Sequence, residues 1–130
     1  MIVLDTHIWY WWACGQHERL TAATLETLAT APRIGVSAVS CIEIALAWRK
    51  GRMELPLPLR DWFLEALDRS QVELLELTPA IAARAVELAD RHKDPFDRVI
   101  IATALELDGQ LASVDGQMQS YPELAGRLLA

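Results

Sequence analysis

Four acidic residues stand far apart in the chain, each where a predicted strand ends or a predicted helix begins. They are Asp5, Glu43, Asp97 and Asp115. In open α/β sheets the functional crevice lies outside the carboxyl ends of the strands, so we expect these side chains to meet there. Four carboxylates in one place repel one another strongly unless a divalent cation holds them together. The pattern therefore predicts a metal site that carries out chemistry.

The elements that must position these acids alternate between strand and helix. The pattern predicts strands at residues 2–4, 34–37, 72–77 and 110–114, and helices at 6–14, 21–31, 41–50, 59–69, 80–91 and 95–107. Such alternation is typical of an α/β fold with a mostly parallel sheet and helices on both faces. Beyond Asp115 the pattern is weak.

Composition indicates one globular domain spanning residues 1–130, because 52% of the residues are hydrophobic and 23% are charged. No apolar stretch approaches the roughly 20 residues that a membrane span requires. The first residues lack the features of a signal peptide, and two cysteines, Cys14 and Cys41, are too few for a disulfide framework. We therefore expect a cytoplasmic protein without a membrane partner.

The chain carries a net charge of −6. This balance argues against nucleic-acid binding through bulk electrostatics. Local basic patches or a metal ion would have to hold any polyanion.

Helix capping offers an alternative interpretation of each acid. Ser40 and Glu43 match a capping box. Asp94 with Pro95 looks like a helix start, where the helix dipole favours the negative charge of Asp97. Asp5 and Asp115 could equally be turn residues after strands. Their joint arrangement favours a site, because right-handed parallel connections bring all of these positions to one edge of the sheet.

Four motifs in order resemble those of PIN domains. They are Leu4-Asp5-Thr6, Ser40-x-x-Glu43, the run from Asp97 to Ala104, and Leu111-Ala112-Ser113-Val114-Asp115. The fuller strings at 5–7 and 92–98 resemble VapC-type toxins of bacterial toxin–antitoxin pairs. Ser113 stands where the family more often has threonine, and the segment 123–130 lacks the clear final strand often seen.

The resemblance implies a three-layer α/β/α domain with four or five strands that acts as a Mg²⁺- or Mn²⁺-dependent endoribonuclease. It implies that the catalytic metal ligands are Asp5, Glu43, Asp97 and Asp115. Thr6, Ser40 and Ser113 would support them, and Asp94 would be either a supporting ligand or only a helix cap. A VapB-like antitoxin and a homodimer are the implied protein partners.

Basic residues flank the later acids, although the chain as a whole is acidic. Arg91, Lys93 and Arg98 lie close to Asp94 and Asp97, and we expect them to contact RNA phosphates. The basic residues at 49–52 are more typical of a solvated helix end.

The first helix carries an unusual aromatic run, Trp9, Tyr10, Trp11 and Trp12. Helical spacing puts residues 8, 11 and 12 on one face and directs Trp9 and Tyr10 away from it. One stripe can enter the core, and exposed aromatics often mark an interface. We therefore predict that this run, with Trp48 or Trp62 nearby, contributes to an antitoxin groove, the alternative being burial of the whole run.

Other classes fit less well. A haloacid-dehalogenase-like phosphatase requires a second acid two residues after Asp5, where His7 stands. A receiver domain requires an aspartate after a middle strand and a late lysine, and neither is present. The remaining alternative is a catalytically silent PIN-like module that binds RNA or protein.

Overall fold

Five parallel strands form the central sheet of the computed structural model, which describes residues 1–68, 70–89 and 94–129. The strands are β1 (Ile2–Leu4), β2 (Ile34–Ser37), β3 (Glu73–Leu75), β4 (Gln110–Ala112) and β5 (Leu128–Leu129). Their order is β3-β2-β1-β4-β5, and every neighbouring pair is parallel. β1 is central, with β2 on one side and β4 on the other, so the chain reverses its direction of winding at β1.

Within the described parts of the chain, six helices connect these strands. They are α1 (Thr6–Ala13), α2 (Ala22–Thr30), α3 (Ala38–Arg49), α4 (Leu59–Asp68), α5 (Pro79–Glu87) and α6 (Pro95–Glu106). Short 3₁₀ turns occupy His17–Arg19, Gly116–Ser120 and Pro122–Leu124. Among the described residues, no helix is both long enough and apolar enough to cross a bilayer.

Both faces of the sheet are covered, as a parallel sheet requires. Alternate residues of β1 enter different clusters: Ile2 and Leu4 pack with side chains of α1, α2 and α4, whereas Val3 packs with α6 and the 3₁₀ turns near the C-terminal end. The predicted three-layer α/β/α architecture is confirmed. α5 lies against α6 through Ile81 and Ala85, which form a small cluster with Ala102.

Polar caps fix where the helices begin. Thr78 caps α5, and Asp94 caps α6 as the sequence predicts. α3 begins earlier than predicted because Ser37, at the end of β2, accepts a hydrogen bond from the backbone N–H of Val39. Ser40 therefore lies inside the first turn of α3, and the capping-box interpretation of Ser40 with Glu43 is wrong.

The edges of the sheet are short. β3 spans three residues within the predicted strand 72–77, and its place at the edge matches its mixed polar pattern. β5 has only two residues, which pair with β4 through Leu111↔Leu128 and Ala112↔Leu129. A two-residue strand carries almost no periodic signal, and this explains why the sequence pattern did not reveal it.

The aromatic run of α1 is oriented differently from the prediction. Trp9 is completely buried, with its ring centroid 5.3 Å from that of Trp62 and 6.4 Å from that of Phe63. Tyr10 is half-buried, and its hydroxyl donates a 2.6 Å hydrogen bond to the Glu54 carbonyl. The proposal that Trp9 helps form an antitoxin groove is therefore wrong, because its ring belongs to the core.

Trp11 and Trp12 are half-buried and pack against the same core cluster. The Trp12 ring stacks on His17 at a centroid distance of 5.2 Å, and the Arg19 guanidinium lies 5.8 Å from the Trp11 ring. The segment after α1 thus covers the aromatics that α1 leaves partly exposed.

Candidate metal centre at the carboxyl edge of the sheet

Asp5 follows β1 at the centre of the carboxyl edge. Its side chain is only 8% exposed, and both of its carboxylate oxygens accept hydrogen bonds. The backbone N–H of Thr6 donates at 2.8 Å, which makes Asp5 the N-cap of α1, and the Ser113 hydroxyl donates at 2.7 Å. Capping and membership of the site are therefore compatible for this residue.

The hydroxyl of Thr6 connects α1 with α3. Its oxygen lies 2.7 Å from a carboxylate oxygen of Glu43 and 2.9 Å from the hydroxyl oxygen of Ser40, which is fully buried. A hydroxyl has one proton but two acceptor lone pairs, so Thr6 can donate to Glu43 while Ser40 donates to Thr6. Thr6 thus contacts the Glu43 carboxylate directly and Ser40 contacts Thr6, and their supporting role in a metal site stays a prediction.

Three carboxylates form a compact acidic cluster among the described residues. One oxygen from each of Glu43, Asp94 and Asp97 lies within 4.8 Å of the others. Glu43 projects from α3, Asp94 caps α6, and Asp97 follows one turn later and is only 9% exposed. We refer to these three residues as the acidic cluster.

The electrostatic environment of Glu43 shows how crowded this region is. The pKa of its carboxyl is raised from 4.5 to about 7, chiefly by burial, and the charges of Asp97, Asp5 and Asp94 contribute in the same direction. The hydrogen bond from Thr6 acts in the opposite direction. A bound cation would reduce both the repulsion between these like charges and the cost of their partial desolvation, so this arrangement favours cation binding.

Asp94 caps α6, and its position is also compatible with the ligand role that the sequence left open. One of its oxygens accepts a 2.9 Å hydrogen bond from the Phe96 backbone N–H, and the carboxylate also lies in the acidic cluster. A carboxylate has enough lone pairs to cap a helix and face a cation at the same time.

Asp115 lies at the same edge but differs from the other predicted ligands. Its carboxylate accepts a hydrogen bond from the Gln117 backbone N–H and caps the Gly116–Ser120 turn. Its own backbone N–H donates to the Ser113 hydroxyl, which in turn donates to Asp5. Asp115 is half-buried and lies outside the three-residue acidic cluster, so its connection to the site runs through Ser113 and Asp5.

Arg98 does not present its guanidinium to a ligand in the way that the sequence suggested. It donates to the carbonyls of Ala85, Val86, Leu88 and Ala89 at 2.9–3.4 Å, which secures the C-terminal end of α5. It also interacts with Tyr121, whose pKa is raised by burial and lowered by this hydrogen bond. The expected phosphate contact of Arg98 is corrected to a structural role, while Arg91 and Lys93 lie outside the described residues.

The donor set fits a hard divalent cation. All candidate ligand atoms are carboxylate oxygens, which Mg²⁺ and Mn²⁺ prefer, and the crowding around Glu43 supplies the negative potential. Within the described ranges, this is the one group of three or more potential ligand side chains.

A family model gives independent evidence. The PIN domain model matches residues 2–124, which is nearly the whole chain. The chain belongs to the PIN-domain family. The resemblance seen in the four acidic motifs is thereby confirmed, and the acidic cluster lies where those motifs converge in this PIN domain.

A curated relative shares both length and sequence with this PIN domain. Ribonuclease VapC22 of Mycobacterium tuberculosis is 32% identical over 121 residues, which cover 92% of this chain and 91% of that protein. The alignment therefore covers most of the chain.

Solved structures share the fold at lower identity. VapBC2 from Rickettsia felis, bound to a DNA fragment from its promoter, gives a TM-score of 0.71 at 19% identity over 99% of this chain and 98% of that chain. FitAcB from Neisseria gonorrhoeae gives a TM-score of 0.62 at 19% identity over 100% of this chain and 97% of that chain. A toxin–antitoxin complex from Klebsiella pneumoniae gives 0.64 at 16% identity over 100% and 97%.

Proposed function

We propose that this PIN domain is a Mg²⁺- or Mn²⁺-dependent endoribonuclease and the toxin of a VapBC-type toxin–antitoxin pair that acts in the cytoplasm. The observation that carries the proposal is the acidic cluster at the carboxyl edge of the sheet. It occurs in a chain that is 32% identical, over nearly its full length, to a protein named as a ribonuclease.

Glu43, Asp94 and Asp97 would hold the cation, and Asp5 and Asp115 would complete its surroundings directly or through water. When bound, a divalent cation supplies neutralisation of the scissile phosphate and acidification of water. Asp5 is already oriented by two hydrogen bonds, so its carboxylate would need little rearrangement.

The hydroxyl side chains would act as positioning residues. Thr6 keeps Glu43 directed toward the cluster, and Ser113 keeps Asp5 at the edge. Hydrogen bonds of this kind restrict ligand side chains to one orientation, and their removal commonly lowers metal affinity or activity about 10–100-fold.

An RNA phosphate approaching this edge would meet negative charge on a chain whose net charge is already −6. A bound cation therefore supports substrate binding as well as chemistry. Arg91 and Lys93 remain candidates for phosphate contact because of their place in the sequence next to Asp94 and Asp97.

The expected protein partner is a VapB-like antitoxin. The relatives from Rickettsia felis and Klebsiella pneumoniae are described as a VapBC pair and a toxin–antitoxin complex. On this chain, Ile42 and Leu46 are 49% and 41% exposed and share one face of α3 next to Glu43. An antitoxin segment on this face would be able to direct a basic side chain into the acidic cluster. The formation of a homodimer stays a prediction.

The decisive experiment measures cleavage of single-stranded RNA by purified protein with Mg²⁺, with Mn²⁺ and with a chelator. We expect cleavage only with metal, and we expect Asp97→Asn and Asp5→Asn to lower the rate by at least about 100-fold. Asp61→Asn is the matched control, because Asp61 is an exposed acid on α4 outside the acidic cluster. Cleavage at the parent's rate by Asp97→Asn would reject these roles.

The variant Asp94→Asn distinguishes a metal-ligand role of Asp94 from a role as helix cap alone. Asparagine caps helices about as well as aspartate, so stability should hardly change. A fall in cleavage and in Mn²⁺ affinity without loss of stability would assign Asp94 to the cation. If no variant and no metal condition affects RNA, or if the parent binds RNA without cutting it, the catalytically silent module is the better description.

A further inference from the structure

A cavity lies at the carboxyl edge, on the β5 side of Asp5. It has a volume of about 230 Å³ and is lined by the turn after β4, by the 3₁₀ turn that follows, and by β5. The sequence did not indicate it, because the pattern beyond Asp115 is weak and β5 has only two residues.

Hydrogen bonds connect the wall of this cavity with the acidic site. Ser113 and Asp115 belong to its wall, and the Ser113 hydroxyl donates to Asp5 at 2.7 Å. From Asp5 the connection continues through the backbone N–H of Thr6 at 2.8 Å and through the Thr6 hydroxyl to Glu43 at 2.7 Å. The cavity and the acidic cluster therefore lie at the same edge of the sheet and are linked through Ser113, Asp5 and Thr6.

The lining is mixed in the way that a flat heteroaromatic ring requires. Val114 is 54% exposed, and Leu128 and Leu129 are half-buried, and these three residues contribute apolar surface to the lining. Gln119 supplies a side-chain amide, which offers both a donor and an acceptor. In the part of the chain that the structure describes, no hydrogen bond engages that amide, so both groups remain available.

We propose that this cavity is a base-recognition subsite, which holds the nucleobase of a nucleotide adjoining the scissile phosphate, with Gln119 reading the edge of the base. The inference rests on the proposed ribonuclease function. Single-stranded RNA is recognised through unstacked bases whose edges form hydrogen bonds to protein groups. The cavity volume lies below the range typical of drug-sized ligands, which suits a single base.

Two substitutions at Gln119 test the reading of the base. Gln119→Leu removes both hydrogen-bonding groups, and Gln119→Glu keeps the size but replaces the amide donor with an acceptor. Each variant and the parent are incubated with an oligoribonucleotide library randomised around the cut, and the cut ends are sequenced. Gln110→Leu is the matched control, because Gln110 is exposed at the opposite end of β4 and outside the cavity.

We expect Gln119→Leu to reduce base preference at one position beside the cut by about three- to tenfold, the range that one hydrogen bond provides. We expect Gln119→Glu to shift the preference at that position toward a base that presents a donor. Gln110→Leu should reproduce the parent's profile. Identical profiles for the parent and both Gln119 variants, with cleavage retained, would overturn the subsite and leave the ribonuclease proposal intact.

A binding measurement keeps the two proposals separate if the parent cleaves no RNA. The side-chain amide resonance of Gln119 is followed by NMR while a short single-stranded oligoribonucleotide is added without metal. A shift that Gln110 lacks supports the subsite even if the ribonuclease proposal fails. The absence of any shift at Gln119 at saturating RNA overturns it.

Discussion

Replacement of Glu43 by glutamine should make the metal-free protein more stable at alkaline pH. Glutamine keeps nearly the same shape and can still accept the hydrogen bond from Thr6. It removes a charge that the surroundings disfavour, because burial and the neighbouring carboxylates raise the pKa of Glu43 from 4.5 to about 7. The substitution therefore isolates the cost of ionising this one group.

The sign of the effect follows from proton linkage. A carboxyl with a raised pKa in the folded state binds its proton more tightly when folded, so folding stability falls as pH rises from about 4.5 to about 7. The full cost is present above pH 7 and absent below pH 4.5. The shift corresponds to about 3 kcal/mol. Because Glu43 is partly exposed, solvent screening reduces this cost, and we expect Glu43→Gln to gain about 2 kcal/mol in unfolding free energy over the parent.

The assay is urea unfolding of the parent and Glu43→Gln in the presence of a chelator at several values of pH between 4 and 8.5. The two proteins should have similar unfolding free energies near pH 4.5, and the variant should gain its advantage progressively toward pH 8. Glu26→Gln is the matched control, because Glu26 is an exposed helical glutamate on α2. Its pH dependence should follow that of the parent.

Mn²⁺ provides an internal check, because a ligand that binds only the folded state stabilises it. At pH 8 the ion should raise the unfolding free energy of the parent more than that of Glu43→Gln. The reasoning about charge crowding is refuted if the chelated variant is no more stable than the parent at pH 8, or if its advantage does not change with pH.

Two further predictions concern residues whose roles the structure revised or located. Arg98→Lys should reduce the free energy of unfolding by about 1–3 kcal/mol, since one ammonium cannot reach four carbonyls. Arg84→Lys is the control, because Arg84 forms a partly exposed ion pair with Glu106, and it should reduce the free energy of unfolding by under about 1 kcal/mol. Equal losses for the two variants would contradict the structural role of Arg98. Leu46→Ser should weaken binding of the co-expressed antitoxin by about 1–2 kcal/mol in calorimetry while cleavage by the free domain stays unchanged. Val86→Ser is its control, because the Val86 side chain on α5 is 81% exposed. An equal loss of binding for both variants would place the antitoxin elsewhere.

The sequence by itself determined the fold class and the edge at which the acids meet. Buried apolar runs fix the strands, and right-handed parallel connections bring the residues after those strands to one edge. Asp5, Glu43, Asp97 and Asp115 could therefore be assigned to that edge from local patterns alone. The cap of α6 was also predictable, because Asp94 stands directly before a proline.

Only the tertiary structure decided which carboxylates approach one another. Asp94 joins Glu43 and Asp97, whereas Asp115 caps a turn and reaches the site through Ser113, because these distances depend on how α3, α6 and β4 pack. Packing also buried Trp9, which helical periodicity had placed on an outward face, since α4 and the segment after α1 cover both sides of that helix. The Arg98 contacts and the cavity beside β5 depend in the same way on segments that are remote in sequence or too short to carry a periodic signal.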